Sequence, residues 1–202
     1  MGICQAIVTL RRGNVIVFPT ETVYGLGADA LNLEAVEKVF QLKGRNPDIP
    51  IPIIVADRAM LKGLVDKIPP IAEKLIEQFW PGPLTLVLQA TPGTPKQLLN
   101  RTGGIGVRIS SQPLATQLAR ELGRPLTATS ANPSGRQAAS TIRQAENYFA
   151  GDIGTFLDGG KLRAKVGSSV VEVIDDCIKI IREGEISAAR LAAFIGKKNI
   201  LP

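Results

Sequence analysis

The chain contains no histidine. That absence excludes Ser-His-Asp and Cys-His catalysis, histidine general bases and most zinc chemistry. Chemistry must then rest on lysine, arginine, carboxylates, hydroxyls or a nucleophile that belongs to the substrate. Cysteine is scarce as well: Cys4 and Cys177 stand far apart with no C-x-x-C spacing, which reads as two thiols in a reducing compartment. One tryptophan, two tyrosines and six phenylalanines form no cluster, so a base-stacking platform for single-stranded nucleic acid is not encoded. No apolar run approaches the roughly 18–20 residues that span a bilayer. Near the N-terminus Arg11 and Arg12 follow the apolar stretch, the reverse of a signal peptide, and Ala6 stands where a myristoylation motif needs Ser or Thr. A cytoplasmic chain with no membrane association is the expectation. No G-x-x-x-x-G-K-[ST] occurs, and neither GGIGVR nor Gly25-Leu26-Gly27 makes a dinucleotide-binding turn.

What is present is an ordinary globular composition, 45% apolar and 21% charged, with a basic balance of 24 Lys+Arg against 18 Asp+Glu. A net charge of +6 suits a phosphate-bearing partner or a solubilising surface, and charge alone leaves both open. Periodicity predicts helices over 4–12, 33–44, 58–65, 70–79, 113–123, 141–150 and 187–196. Strands are predicted over 15–18, 51–57, 84–90, 105–110, 125–130 and 154–158, with two more, arranged as a hairpin, in 168–183. Gly44 and Gly123 are placed as helix stops and Ser187 as an N-cap. There is no repeat, low-complexity tract or linker. The fold class is α/β, with a sheet mixing parallel and antiparallel pairs and flanking helices, in a single domain over 1–202.

In such folds ligand groups gather where strands end. Strand 15–18 runs into Pro19-Thr20-Glu21-Thr22, and 105–110 carries Arg108 on the face opposite Val107 and Ile109. Strand 125–130 runs into Ser130-Ala131-Asn132-Pro133-Ser134-Gly135. The helix ending at 43 delivers Lys43-Gly44-Arg45 before a segment stiffened by Pro47, Pro50 and Pro52. Two cations at a helix C-terminus also satisfy the helix dipole, so a phosphate clamp and a plain helix end are both consistent. An Asn-Pro-Ser-Gly turn is equally compatible with a ligand loop or a simple reversal. Trp80, before Pro81-Gly82-Pro83, reads as a core anchor at a tight turn. The residues describe an α/β protein with a cationic, hydroxyl-rich cleft for an anionic ligand, and stop short of a reaction.

Six segments in register, PTETVYGLG (19–27), KGR (43–45), WPGPLTLVL (80–88), GVRIS (106–110), TSANPSG (129–135) and SSVV (168–171), resemble the YrdC/TsaC-like family of L-threonylcarbamoyladenylate synthases over nearly the whole chain. The resemblance implies a twisted open α/β sheet around a large basic concave cleft. It implies a nucleotidyltransferase that joins L-threonine, bicarbonate or CO2 and ATP, with Mg2+, into threonylcarbamoyl-AMP and pyrophosphate. A separate transferase complex then carries the threonylcarbamoyl group to tRNA. Position by position, it implies a tetrad of Lys43, Arg45, Ser130 and Asn132. Thr22, Arg108, Ser130 and Ser168 would bind threonine; Lys43, Arg45, Asn132, Ser140 and Arg182 would bind ATP. No magnesium ligand is assigned: Glu21, Asp29 and Glu172 are candidates, beside coordination by the triphosphate itself. Departures are Asn46 in place of a proline after the K-x-R arginine, and Ile54 near a common histidine position. The competing reading is a non-catalytic RNA-binding or ribosome-maturation factor, with tRNA or double-stranded RNA on the basic face.

Overall fold

A computed structural model describes residues 2–164 and 166–202. Its helices are α1 (Ile3–Arg11), α2 (Leu33–Lys43), α3 (Arg58–Lys62), α4 (Pro70–Phe79), α5 (Pro113–Leu122), α6 (Ile142–Phe149) and α7 (Ala188–Ile195). Strands are β1 (Ile16–Phe18), β2 (Gly25–Gly27), β3 (Ile53–Ile54), β4 (Leu84–Gln89), β5 (Gly104–Arg108), β6 (Leu126–Thr127), β7 (Thr129–Ser130), β8 (Ser169–Ile174), β9 (Cys177–Arg182) and β10 (Ile200–Leu201). They form a seven-stranded sheet in the order β10-β9-β8-β4-β5-β3-β6 and a three-stranded sheet in the order β1-β2-β7. In the larger sheet β10/β9, β8/β4 and β5/β3 are parallel while β9/β8, β4/β5 and β3/β6 are antiparallel, the mixed sheet expected.

Local chemistry sets the helix ends. Asn32 caps α2 by accepting a hydrogen bond from the Ala35 N–H at 3.2 Å, and Gly44 closes it at φ +55°, a left-handed value that glycine takes without steric cost. Between the caps Ala35, Val36, Val39 and Phe40 form the buried stripe that holds α2 against the main core. Thr141 and Gln144 make a reciprocal capping box at the start of α6, and Ser187 caps α7 as its position predicts. A second core cluster packs α1 and α5 over β1, β3 and β6, through Leu10, Ile16, Phe18, Leu118 and Leu126 among others.

Three predicted strands came out differently. The 51–57 strand contracts to Ile53–Ile54, because prolines at 50 and 52 carry no donor for a ladder. Residues 154–158 contribute only a bridge from Phe156 to Val17. The 125–130 strand divides at Ala128: Leu126–Thr127 edges the large sheet, and Thr129–Ser130 pairs with β2 of the small one. The Thr127 N–H donates to Ala28 O at 2.9 Å and the Ala128 N–H to Pro52 O at 2.8 Å, so the crossing is held on both sides. This division carries Ser130 out of the large sheet toward the residues after β1.

Candidate active site

Between the two sheets lies a cavity of about 140 Å3, below the roughly 300–1,000 Å3 typical of drug-sized sites. Its walls come from six separated parts of the sequence. The loop after β1 contributes Thr20 and Thr22. Arg45 follows α2, Arg108 ends β5, Ser130 ends β7, Ser168 precedes β8, and Arg182 ends β9. Three guanidinium groups thus share a small space, and none of the wall residues is a carboxylate.

Each cation is tethered so that part of its donor set remains free. Arg45 donates from Nε to Ile49 O at 2.8 Å and from Nη2 to Pro50 O at 3.1 Å, a use for the loop that Pro50 and Pro52 stiffen. Arg182 donates from Nη2 to Ser168 O at 2.7 Å and from Nε to the same oxygen at 3.3 Å. Arg108 is buried, and its Nη1 reaches Ser168 Oγ at 3.4 Å. Ser168 Oγ also pairs with Thr85 Oγ1 at 2.9 Å, so one serine gathers two arginines and a threonine. Burial holds the Arg45 guanidinium below its ordinary basicity, with the Arg182 charge adding to the effect. Partial burial of the Arg182 head, then the charge of Arg108, acts on Arg182 the same way, although that residue as a whole is exposed along its length. Cations crowded like this favour an anion among them.

Lys43 and Asn132 stand behind the wall. The Lys43 Nζ donates to Ser130 O at 2.6 Å and to Asn132 O at 2.8 Å. Burial, with the Arg45 charge second, lowers its pKa to about 7. A neutral amine still supplies two N–H groups, so both carbonyls are satisfied in either protonation state. Asn132 donates from Nδ2 to Pro133 O and Arg136 O, both at 2.8 Å, while its Oδ1 is buried without a partner. That loop is therefore a braced structure and not a simple reversal.

Of the residues singled out by sequence, Thr22, Arg45, Arg108, Ser130, Ser168 and Arg182 meet at the cavity. Lys43 and Asn132 touch it through Ser130. Ser140 belongs to neither this cavity nor the groove beside it; its Oγ donates to Gln144 Oε1 at 3.1 Å beside the α6 cap. Sequence reasoning noted Thr20 at a strand end without giving it a role, and passed over Thr85. Thr20 Oγ1 donates to Val23 O at 2.6 Å and lies 3.0 Å from Thr22 Oγ1, fixing the neighbouring hydroxyl; the two-residue spacing was the signal for it. Tyr24 lines the cavity: its hydroxyl accepts from the Gly159 N–H at 2.9 Å and points at Gly160 O and Asp158 Oδ1, and burial raises its pKa to about 12. Gly25 lines the cavity, and both Gly25 and Gly27 pack against the Phe18 ring. A Cβ at Gly27 would stand 2.8 Å from Phe18 Cε1, so the glycines clear space for that ring.

A larger groove of about 740 Å3 adjoins the cavity and shares Arg45, Pro52 and Arg182 with it. It runs over the outer faces of β4, β5 and β8, where Val87, Gly104, Gly106 and Val170 leave a shallow apolar floor. Arg101, Asp48 and Glu172 stand on its walls. The three carboxylates weighed as magnesium ligands are otherwise engaged: Glu21 with Arg108 and Ser110, Asp29 with Arg124, and Glu172 with Asn100 and Thr102. Among the described residues no cluster of three metal-binding side chains occurs. Among them, too, no helix is long and apolar enough to cross a membrane.

Fold and site together define an α/β protein with a small, cation-lined cavity between two sheets. The chain belongs to the Sua5/YciO/YrdC family, whose model, described as telomere recombination, matches residues 8–184. It is 40% identical over 202 residues to the threonylcarbamoyl-AMP synthase of Bacillus subtilis, covering 98% of this chain and 58% of that protein. With the enzyme of the same name from Pseudoalteromonas translucida the identity is 38% over 158 residues, covering 77% of this chain and 84% of the relative. The solved structure of P. abyssi Sua5 complexed with L-threonine superposes with a TM-score of 0.93 at 36% identity, over 99% of this chain and 59% of that one.

Proposed function

We propose that this chain forms threonylcarbamoyl-AMP and pyrophosphate from L-threonine, bicarbonate or CO2, and ATP. It is then a nucleotidyltransferase that acts in the cytoplasm and supplies a tRNA threonylcarbamoyl transferase complex. The observation that carries the reading is the convergence of Arg45, Arg108 and Arg182 on a 140 Å3 cavity with Thr22, Ser130 and Ser168. The names of the relatives support it, as does the threonine complex of the P. abyssi protein.

In this reading Arg108 receives the threonine carboxylate, and Thr22, Ser130 and Ser168 supply hydrogen bonds to the small ligand. The threonine amine attacks CO2 and loses a proton, giving a carbamate; a carbamate oxygen then attacks the α-phosphorus of ATP and pyrophosphate leaves. No protein nucleophile is needed, in keeping with a chain that has no histidine. The triphosphate lies against Arg45 and Arg182, which border both the cavity and the groove, with Lys43 and Asn132 behind and Ser140 farther along the nucleotide. Charge that grows on the phosphoryl oxygens meets fixed cations, so the protein acts through position and electrostatics. Magnesium enters as part of the ATP substrate; Glu21, the carboxylate beside the cavity arginines, is already engaged with Arg108 and Ser110. An RNA-binding factor would instead spread its cations along an open face, where salt dependence is steep.

The test is pyrophosphate release by purified protein with all three substrates and magnesium. Release that requires threonine supports the proposal; none above background rejects it.

A further inference from the structure

Glu21 sits between Thr20 and Thr22, yet its side chain turns away from the cavity those residues line. Its Oε1 lies 3.2 Å from Arg108 Nε, and Ser110 Oγ donates to its Oε2. Ser110 Oγ in turn accepts from the Gln112 N–H at 3.2 Å, at the start of α5. The Arg108 Nε–H is not aimed squarely at Oε1, so the contact is coulombic and makes no aligned hydrogen bond. Both partners are nearly enclosed, with side-chain exposures of 4% for Arg108 and 11% for Glu21. Among the described residues the other ion pairs, Arg58–Glu73 and Arg124–Asp29, use none of the cavity arginines. Glu21 is therefore the one carboxylate in salt-bridge contact with that cationic set.

A buried guanidinium needs a counter-charge, and one that took its whole fork would leave nothing for a ligand. Glu21 meets Arg108 at Nε, and neither terminal nitrogen hydrogen-bonds to it. Nη1 reaches Ser168, and Arg108 lines the cavity. Ser110 ties the carboxylate to α5, so the counter-charge is fixed in place and not free to swing into the site. We infer that Glu21 is the positioning residue for Arg108, offsetting its charge and fixing its orientation so that its terminal N–H groups face the amino-acid carboxylate. The inference rests on the role given to Arg108 above.

Glu21→Gln keeps the shape and removes the charge, and Ser110→Ala loosens the carboxylate from α5. Threonine KM, ATP KM and kcat would be measured by pyrophosphate release, with threonine affinity by calorimetry and folding by thermal melting. Expected for Glu21→Gln is a rise in threonine KM and Kd of about tenfold or more, with ATP KM and kcat held within about twofold. Ser110→Ala should move the same constants in the same direction by less, and Glu21→Asp, which cannot span both partners, should fall between wild type and Glu21→Gln. Unchanged threonine constants in Glu21→Gln, or equal losses for threonine and ATP, overturn the inference. If Glu21→Gln does not fold, Ser110→Ala carries the test by the same criterion. Arg108→Ala in the same assay separates the two ideas. If it weakens threonine while Glu21→Gln does not, the inference alone fails; if it leaves threonine untouched, the assignment of Arg108 fails.

Discussion

The Nζ of Lys43, at the end of α2, lies 2.6 Å from the carbonyl oxygen of Ser130, 87 positions along the chain. Its pKa of about 7 sits below the ordinary 10.5 because the charged form is desolvated and faces Arg45. Between pH 7 and 10.5 the unfolded chain thus binds more protons than the fold, so this lysine's contribution to stability improves as pH rises through that window. Lys43→Met should lose that part of the slope, read from urea midpoints between pH 6.5 and 9. A triphosphate near Nζ reverses the bias. ATP binding at pH 8 should take up a proton, seen as a buffer-dependent calorimetric heat, and the uptake should vanish in Lys43→Met.

Arg108→Ala removes the cation assigned to the threonine carboxylate. Loss of a charged hydrogen bond of roughly 1.5–3 kcal/mol corresponds to about a 10- to 150-fold rise in threonine KM. The ATP requirement should move far less. Steady-state pyrophosphate release, varied in each substrate, checks this, and equal effects on both would reject the assignment.

Gly27→Ala places a methyl 2.8 Å from Phe18 Cε1 and 3.3 Å from Ile16 Cγ1. Overpacking of this sort costs about 1–3 kcal/mol. Phe18→Leu alone should also destabilise, because a fully buried ring is lost. The double variant should be more stable than the sum of the two, with coupling measured in a denaturant double-mutant cycle. Simple additivity would mean that the glycine is not there for the ring.

Tyr24→Phe deletes a hydroxyl that the Gly159 N–H donates to and that faces Gly160 O and Asp158 Oδ1. Stranding those groups should cost about 1–3 kcal/mol. Thermal melting should report it as a drop of roughly 2–4 °C per kcal/mol. Amide exchange at Gly159 should rise in the variant.

How far the fold was legible depended on whether each segment kept its own rules. Helices 33–43 and 113–122 carry an apolar stripe and a terminal glycine within one stretch, and both agree with the structure. The β8–β9 hairpin was likewise readable from its β-branched run. Residues 126–130 broke the pattern because their partners lie in two sheets, a tertiary choice that alternation within five residues cannot express. The three-residue β2 was missed since Gly25-Leu26-Gly27 has almost no strand propensity and is shaped by Phe18 instead. Arg45, Arg108 and Ser130 could be suspected from strand and helix endings; their meeting in one cavity could not. Glu21 is the sharpest case. Its role depends on Arg108 and Ser110, far away in sequence, and no local feature points to either.

The crossing at Ala128 places the site astride a seam. Thr22 and Ser130 ride with the three-stranded sheet, while Arg108, Ser168 and Arg182 ride with the seven-stranded one. No single ladder of backbone hydrogen bonds fixes the width of the cavity. That width is a property of how the two sheets are spaced, and they join through Leu126 to Ser130 and through the backbone bonds that tie Ala28 and Ala30 to Thr127 and Pro125. A substitution at Leu126 or Thr127, neither of which lines the cavity, acts on ligand affinity through the gauge of the opening, with the contact residues left in place.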